Sequence, residues 1–130
     1  MSKQESDYDV LVVGTGASGM SAAVTAAYEG LKVLVVDKAS LYGGTTARSG
    51  GWLWIPNTKL AKEQGIHEPA GAARTYLQHE ATTHFDAARV DAFLENGPKA
   101  IDFFTEKTCV QFEMPPVFPD YHAEAPRGQP

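Results

Sequence analysis

The glycine pattern of residues 14–19, Gly-Thr-Gly-Ala-Ser-Gly, lies between an apolar run and a stretch of small residues. Within the apolar run, 8–13, residues 10–13 are continuous and rich in valine, which predicts a parallel strand buried on both faces. The small residues up to position 29 predict a slim helix that ends at Gly30. A second apolar run, 32–36, follows at once and ends in Asp37. The sequence therefore predicts a strand, a helix and a second, parallel strand.

Each glycine of the pattern has a separate physical role. Gly14 allows a sharp turn off the strand, Gly16 leaves no Cβ in the way of a pyrophosphate, and Gly19 allows the helix to pack closely on the sheet. The phosphates would lie at the helix N-terminus, where backbone N–H groups favour anions. Asp37 follows Gly14 by 23 positions, where a carboxylate accepts the hydroxyls of an adenosine ribose. This arrangement predicts a dinucleotide site, and the alternative is the same unit without a nucleotide.

A second glycine-rich loop follows the acid. Residues 42–51 are Tyr-Gly-Gly-Thr-Thr-Ala-Arg-Ser-Gly-Gly, in which glycines permit close backbone approach and hydroxyls offer donors and acceptors. A nicotinamide enzyme does not need a second cradle so soon after its acid, whereas the longer flavin cofactor returns past the same sheet. The loop therefore favours a flavin, and the alternative is an ordinary flexible linker.

Composition limits the classes of partner. The chain has 130 residues, 43% of them hydrophobic and 21% charged, as is typical of a globular protein. Its formal charge of −5 disfavours nucleic acid and anionic membranes. Cys109 is the single cysteine, and residues 1–9 are polar without an apolar core of a secretion signal, so we expect a cytoplasmic location. The segment 11–27 is too rich in glycine and alanine to be a good membrane span.

The remainder of the chain predicts a mainly helical region. Residues 52–55 predict a short strand that ends in a turn at 56–57, and 70–84 and 86–95 predict helices. Asn-Gly-Pro at 96–98 predicts a break, after which a new helix begins with proline in its first turn. Residues 110–114 alternate as in a half-exposed strand.

Several segments now establish a resemblance to a known family. Residues 8–57 resemble the N-terminal FAD-binding segment of the fumarate reductase and succinate dehydrogenase flavoprotein superfamily. Within it, 43–51 and 54–57 are most similar to the 3-ketosteroid dehydrogenase branch, as are 73–77 and 118–121. The resemblance implies an FAD-dependent oxidoreductase that acts on CH–CH groups, most similar to a 3-ketosteroid 1-dehydrogenase.

The resemblance also implies which residues bind FAD. The predicted cofactor-binding residues belong to the two glycine-rich loops and the end of the second strand: Gly14, Gly16, Ala17, Ser18, Gly19, Asp37, Lys38, Gly44, Thr45, Thr46, Ser49, Gly50 and Gly51. Asp37 stands where the family more often has glutamate. Superfamily members that attach FAD covalently do so through a histidine in this region, and 37–54 contains none, so noncovalent FAD is implied. The four histidines lack metal-ligand spacing and are interpreted as surface residues, so we expect no metal.

Tyr121 is the predicted catalytic residue. In steroid 1-dehydrogenases the tyrosine of the Phe-Pro-Asp-Tyr segment lies at the active site, beside a second tyrosine that acts as base. A phenol normally titrates near 10, so a neighbouring phenol that hydrogen-bonds its anion would help the base to be ionised near neutral pH. The alternative is a loop tyrosine that packs beside prolines.

The expected fold class is α/β, a Rossmann-like FAD-binding domain with an N-terminal strand-helix-strand unit followed by a helical segment. A doubly wound domain needs more strands than this sequence predicts. We therefore expect residues 1–130 to be the N-terminal part of an FAD-binding domain, with the remaining strands and the substrate domain absent. The expected partner is a small molecule, a 3-ketosteroid, with no nucleic acid and no membrane span. Two alternatives stay open: another flavoenzyme of the superfamily (a steroid 4-dehydrogenase or an enoate reductase), and a non-catalytic, truncated FAD-binding module.

Overall fold

The computed structural model describes residues 7–115 and 120–128. The chain divides into two compact units, Met1–Leu53 and Trp54–Pro130. The first contains strand β1 (Val10–Val13), helix α1 (Ala17–Tyr28), strand β2 (Val33–Val36) and a short 3₁₀ helix at Thr46–Arg48. β1 and β2 are parallel neighbours, with Val10 opposite Val33 and Val13 opposite Val36. The predicted strand-helix-strand order is confirmed.

The burial of the two strands differs from the sequence prediction. Val12 of β1 and Ala23 of α1 are buried, so one face of the sheet is covered by the helix. On the other face, Leu11 is 61% exposed and Val13 is 77% exposed. The prediction that β1 is buried on both faces is therefore wrong for this chain. An apolar run shows that a strand can be buried on both faces. Burial also requires a packed layer, and no described element covers the face of Leu11 and Val13.

Two glycines allow the close packing and the helix end that the sequence predicted for α1. A Cβ built on Gly19 would lie 2.0 Å from the carbonyl oxygen of Gly14, so only glycine allows this approach of the helix to the preceding loop. Gly30 has φ +87° and follows the last helical turn, and its N–H donates to the Ala27 carbonyl at 3.0 Å. The predicted left-handed end of the helix is confirmed.

The second unit is helical in the described residues. It contains α2 (Lys59–Glu63), α3 (Ala72–Ala81), a 3₁₀ turn (Thr82–His84) and α4 (Ala87–Lys107). α3 and the 3₁₀ turn together match the helix predicted over 70–84. α2 was not predicted, because five residues are too few to show a helical period. Its N-cap is the buried Thr58, whose Oγ1 accepts a 3.1 Å hydrogen bond from the Ala61 N–H.

The predicted break at 96–98 is wrong, because α4 runs through Pro98 without interruption. Proline removes one backbone hydrogen bond inside a helix, at a cost of about 3 kcal/mol. Packing on both sides of the proline offsets this cost. A Cβ on Gly97 would lie 3.0 Å from Ile55 Cγ2, and Ile101 is 9% exposed, so both flanks are pressed against apolar neighbours.

Two short strands predicted in this region are also wrong. Residues 52–55 and 110–114 have no strand structure, since no neighbouring segment among the described residues supplies a hydrogen-bonding partner. The turn predicted at 56–57 is confirmed, and Asn57 has φ +61° there. Within the described part of the chain, no helix is long and apolar enough to cross a membrane.

Candidate functional site

The candidate site begins where the two strands end. Gly14 continues the strand pairing through an N–H that donates to the Val36 carbonyl at 2.7 Å, and then turns with φ +105°. This turn brings Thr15 against Asp37. The Thr15 N–H and Oγ1 both donate to Asp37 Oδ2, at 2.8 Å and 2.5 Å, and the Ala39 N–H donates to Oδ1 at 3.0 Å. The acid is therefore fixed at the carboxyl end of β2.

These hydrogen bonds keep Asp37 ionised. The Thr15 hydroxyl, followed by the backbone N–H groups of Ala39 and Thr15, lowers the pKa of Asp37 to about 2. The side chain is half-buried and keeps contact with solvent. An ionised carboxylate has about four acceptor positions and no donor. Asp37 is therefore a pure acceptor, which suits the hydroxyls of a ribose, although the protein already occupies most of its positions.

Thr15 was not among the predicted site residues, and it connects three segments. Its Oγ1 donates to Asp37 and also accepts a 2.8 Å hydrogen bond from the Gly43 N–H. The first glycine-rich loop, the acid and the second glycine-rich loop thus meet at one hydroxyl. One indication of this role is present in the sequence: Thr15 is the hydroxyl residue of the first glycine pattern that lies nearer to the end of β1.

The two glycine-rich loops pack directly on each other. A Cβ built on Gly44 would lie 3.2 Å from the Gly16 Cα and 3.3 Å from its nitrogen, and Gly44 has φ +55°. Thr46 Oγ1 accepts a 3.1 Å hydrogen bond from the N–H of Ala17, the first residue of α1. A hydroxyl that accepts this bond can donate its own proton to a phosphate at the helix N-terminus. We call these two packed loops, residues 14–19 and 43–51, the double-loop cradle.

The other predicted cofactor residues lie in the same unit but make different contacts. Ser49 closes its own loop, since its Oγ donates to the Thr46 carbonyl at 2.8 Å and accepts from the Gly51 N–H at 3.1 Å. Gly50 packs against its near neighbour, with a built Cβ 3.0 Å from Trp52 Cδ1. Three further residues are exposed, namely Ser18, Lys38 and Thr45.

The predicted catalytic residue lies in the second unit. Tyr121 is 89% exposed, in a turn that includes Asp120. Asp120 Oδ1 accepts a 2.8 Å hydrogen bond from Tyr76 Oη, and both residues line a cavity of about 470 Å³. The cavity wall also includes Trp54, whose ring lies 5.8 Å from that of Tyr76, centroid to centroid. Phe118 and Pro119 of the predicted motif lie outside the described residues. Within the described ranges, no group of three or more His, Cys, Asp or Glu side chains could hold a metal ion.

The first unit thus presents an ionised acceptor at a strand end, a helix N-terminus bonded to the hydroxyl of Thr46, and two glycine-rich loops that a Cβ at Gly44 would crowd. These features fit the ribose, the pyrophosphate and the close backbone approach of a dinucleotide, and they define a dinucleotide-binding protein. The chain belongs to the FAD binding domain family, which matches residues 9–128. Its cofactor is therefore FAD.

Three known proteins are similar to this chain over most of its length. It is 45% identical over 124 residues to the 3-oxosteroid 1-dehydrogenase of Mycobacterium tuberculosis, covering 95% of this chain and 22% of that protein. It is 43% identical to the 4-oxocyclohex-2-ene-1-carboxylate 5-dehydrogenase of Sinomonas cyclohexanicum, covering 91% of this chain and 20% of the relative. The crystal structure of 3-ketosteroid delta1-dehydrogenase from Sterolibacterium denitrificans in complex with 1,4-androstadiene-3,17-dione matches with a TM-score of 0.85 and 38% identity, over 95% of this chain and 22% of that one. The chain spans about a fifth of the length of these relatives.

Proposed function

We propose that this chain is the FAD-binding portion of a Rossmann-like flavoenzyme that introduces a double bond next to the ketone of a 3-ketosteroid. The observation that carries the cofactor part of this proposal is the double-loop cradle beside Asp37. The likeness to steroid 1-dehydrogenases supports the substrate part.

In this proposal each part of the first unit holds one part of the cofactor. Asp37 accepts a ribose hydroxyl, because it stays ionised and partly exposed. The N-terminus of α1 and the hydroxyl of Thr46 bind the pyrophosphate. Gly44 has no side chain, which allows the second loop to pack on Gly16 of the first and to line the site together with it. FAD is held without a covalent bond, since 37–54 offers no histidine.

The reaction requires that two hydrogens leave adjacent carbons. Bound FAD supplies a hydride acceptor for the hydrogen on the carbon farther from the ketone. The hydrogen on the carbon next to the ketone leaves as a proton to a base, and the electrons of its C–H bond form the new double bond. The proposed role of Tyr121 is to donate a hydrogen bond to the anion of that base, a second tyrosine, which lowers the pKa of the base.

A second substrate class is supported by one relative, which acts on an oxocyclohexene carboxylate. Both substrate classes have a ketone in a six-membered ring, so the chemistry at the ring is the same and the rest of the substrate differs. A carboxylate substrate would require a cationic partner, whereas a steroid requires a long apolar pocket.

The experiment is anaerobic mixing of the FAD-loaded, full-length protein with either substrate. We expect a 3-ketosteroid that is saturated next to its ketone to bleach the visible flavin band, with one steroid consumed per flavin. Bleaching by an oxocyclohexane carboxylate alone would assign the second class. Flavin that neither compound reduces would reject the proposed activity.

A further inference from the structure

Two residues of α3 contact the two neighbours of Tyr121. Tyr76 and Glu80 are four positions apart and therefore lie one turn above the other on the same helix face. Tyr76 Oη donates to Asp120 Oδ1 at 2.8 Å, and Glu80 Oε2 pairs with His122 Nδ1. The helix thus holds the chain on both sides of Tyr121.

The turn after Tyr121 is also closed on itself. Asp120 Oδ1 accepts a second hydrogen bond, from the His122 N–H at 3.0 Å. The Ala125 N–H donates to the His122 carbonyl at 2.9 Å, and Ala125 is buried. A Cβ on Gly128 would lie 2.4 Å from the same carbonyl, so the end of the turn returns to its start. The contacts from α3 therefore act on a compact turn.

The protonation states suit both contacts at neutral pH. Burial, followed by the hydrogen bond to Asp120, raises the pKa of Tyr76 to about 12, so Tyr76 keeps the proton that it donates. Hydrogen bonds from His79 and then His122 lower the pKa of Glu80, and Glu80 raises the pKa of His122. Glu80 is therefore ionised where His122 can still be protonated, which makes the second contact charge-assisted.

The exposure of Tyr121 makes these contacts important. A side chain that is 89% exposed gains little orientation from burial. The backbone at its position is held by the two flanking residues through their contacts with α3. We propose that Tyr76 and Glu80 are positioning residues that clamp the turn on both sides of Tyr121 and aim its hydroxyl at the catalytic base. This role of Tyr121 rests on the proposed function above.

The first measurement is hydrogen exchange of the backbone amides of 121–125 in the FAD-loaded, full-length protein. Tyr76→Phe removes one clamp contact, Glu80→Gln removes the charge from the other, and both keep the size of the side chain. Loss of a hydrogen bond of about 1 kcal/mol should increase exchange about fivefold in each variant. Two matched controls make the same substitutions elsewhere: Tyr28→Phe, at the end of α1, and Glu95→Gln, which breaks the exposed pair with Lys99 on α4. Unchanged exchange in both clamp variants would overturn the proposal, whether or not the protein oxidises steroids.

The second measurement separates positioning from a merely structural role. In steroid-dependent flavin reduction, both clamp variants should lower kcat at least fivefold with little change in KM. A loosened turn displaces the Tyr121 hydroxyl and leaves the steroid pocket unchanged. The controls should keep wild-type kcat. Faster exchange with wild-type kcat would overturn the positioning role. If the wild-type flavin is not reduced by any 3-ketosteroid, the proposed function fails, and the exchange data still decide whether the clamp exists.

Discussion

Thr15 Oγ1 lies 2.5 Å from Asp37 Oδ2, and this contact joins the first glycine-rich loop to the end of β2. The same oxygen accepts a hydrogen bond from the Gly43 N–H at 2.8 Å. One hydroxyl therefore sets the distance between the acid and both loops of the cradle. A methyl group in place of this hydroxyl, as in valine, would leave Asp37 and the Gly43 N–H without a common hydrogen-bond partner.

Thr15→Val should weaken FAD binding about 10-fold, because a hydrogen bond to a charged, partly exposed group is removed and the Gly43 N–H loses its acceptor. The measurement is an equilibrium FAD titration followed by flavin fluorescence. Thr25→Val is the matched control, since the Thr25 hydroxyl only donates to the Ser21 carbonyl on the exposed side of α1. Equal FAD affinity for the Thr15 variant and the wild type would show that the hydroxyl does not organise the cradle.

The acid itself should titrate near pH 2. The folded pKa of Asp37 lies below its ordinary value of 3.8, so its contribution to stability is fully present above about pH 4 and is lost as the pH falls toward 2. In Thr15→Val the folded pKa should rise toward 3.8, and this contribution to stability should become smaller. The carboxyl carbon shift of Asp37, followed by NMR against pH, measures this directly. An ordinary pKa in the wild type would contradict the hydrogen-bonding pattern.

The flavin should be released by mild acid or heat. Covalent attachment needs a nucleophilic side chain at the flavin ring, and the segment 37–54 contains no histidine. After precipitation of the full-length protein, free FAD should appear in the supernatant with its full visible absorbance. Flavin that remains with the pellet after complete denaturation would show a covalent bond from another residue.

Tyr121→Phe should leave the FAD content and the visible spectrum unchanged, because Tyr121 is far in sequence from every residue of the double-loop cradle. Loss of a positioned proton-transfer group lowers turnover by about 10²- to 10⁴-fold, so flavin reduction by a 3-ketosteroid should slow by that factor with nearly normal steroid binding. Tyr28→Phe is the control and should keep the wild-type rate. A Tyr121 variant that reduces its flavin at the wild-type rate would assign this residue to packing.

The local features of the first unit could be predicted because each has a strong physical cause. A valine run, a glycine approached by backbone and a glycine with positive φ each allow few alternatives, so β1, α1, β2 and the end at Gly30 are as expected. The position of Asp37 at a strand end follows from them. The role of Thr15 did not follow, because its bonds to Asp37 and Gly43 join segments that are distant in sequence.

The errors came from tertiary packing, which local patterns do not encode. Proline is unfavourable inside a helix, but α4 continues through Pro98 because Gly97 and Ile101 pack against neighbouring residues. The alternating segment 110–114 has the composition of a strand and lacks a partner among the described residues. The contacts of Tyr76 and Glu80 with the turn at 120–122 span more than forty residues, so no sequence window contains both sides.

The double-loop cradle is tested most directly by adding one methyl group at Gly44. Gly44→Ala places a Cβ 3.2 Å from the Gly16 Cα, where the two loops meet. Gly65→Ala is the matched control, because Gly65 also has positive φ, +79°, and a Cβ there meets nothing within 4 Å. Both variants carry about 1 kcal/mol of backbone strain. The FAD dissociation constant should rise at least 10-fold for Gly44→Ala and stay at the wild-type value for Gly65→Ala. Equal dissociation constants for the two variants would contradict the cradle as the FAD site.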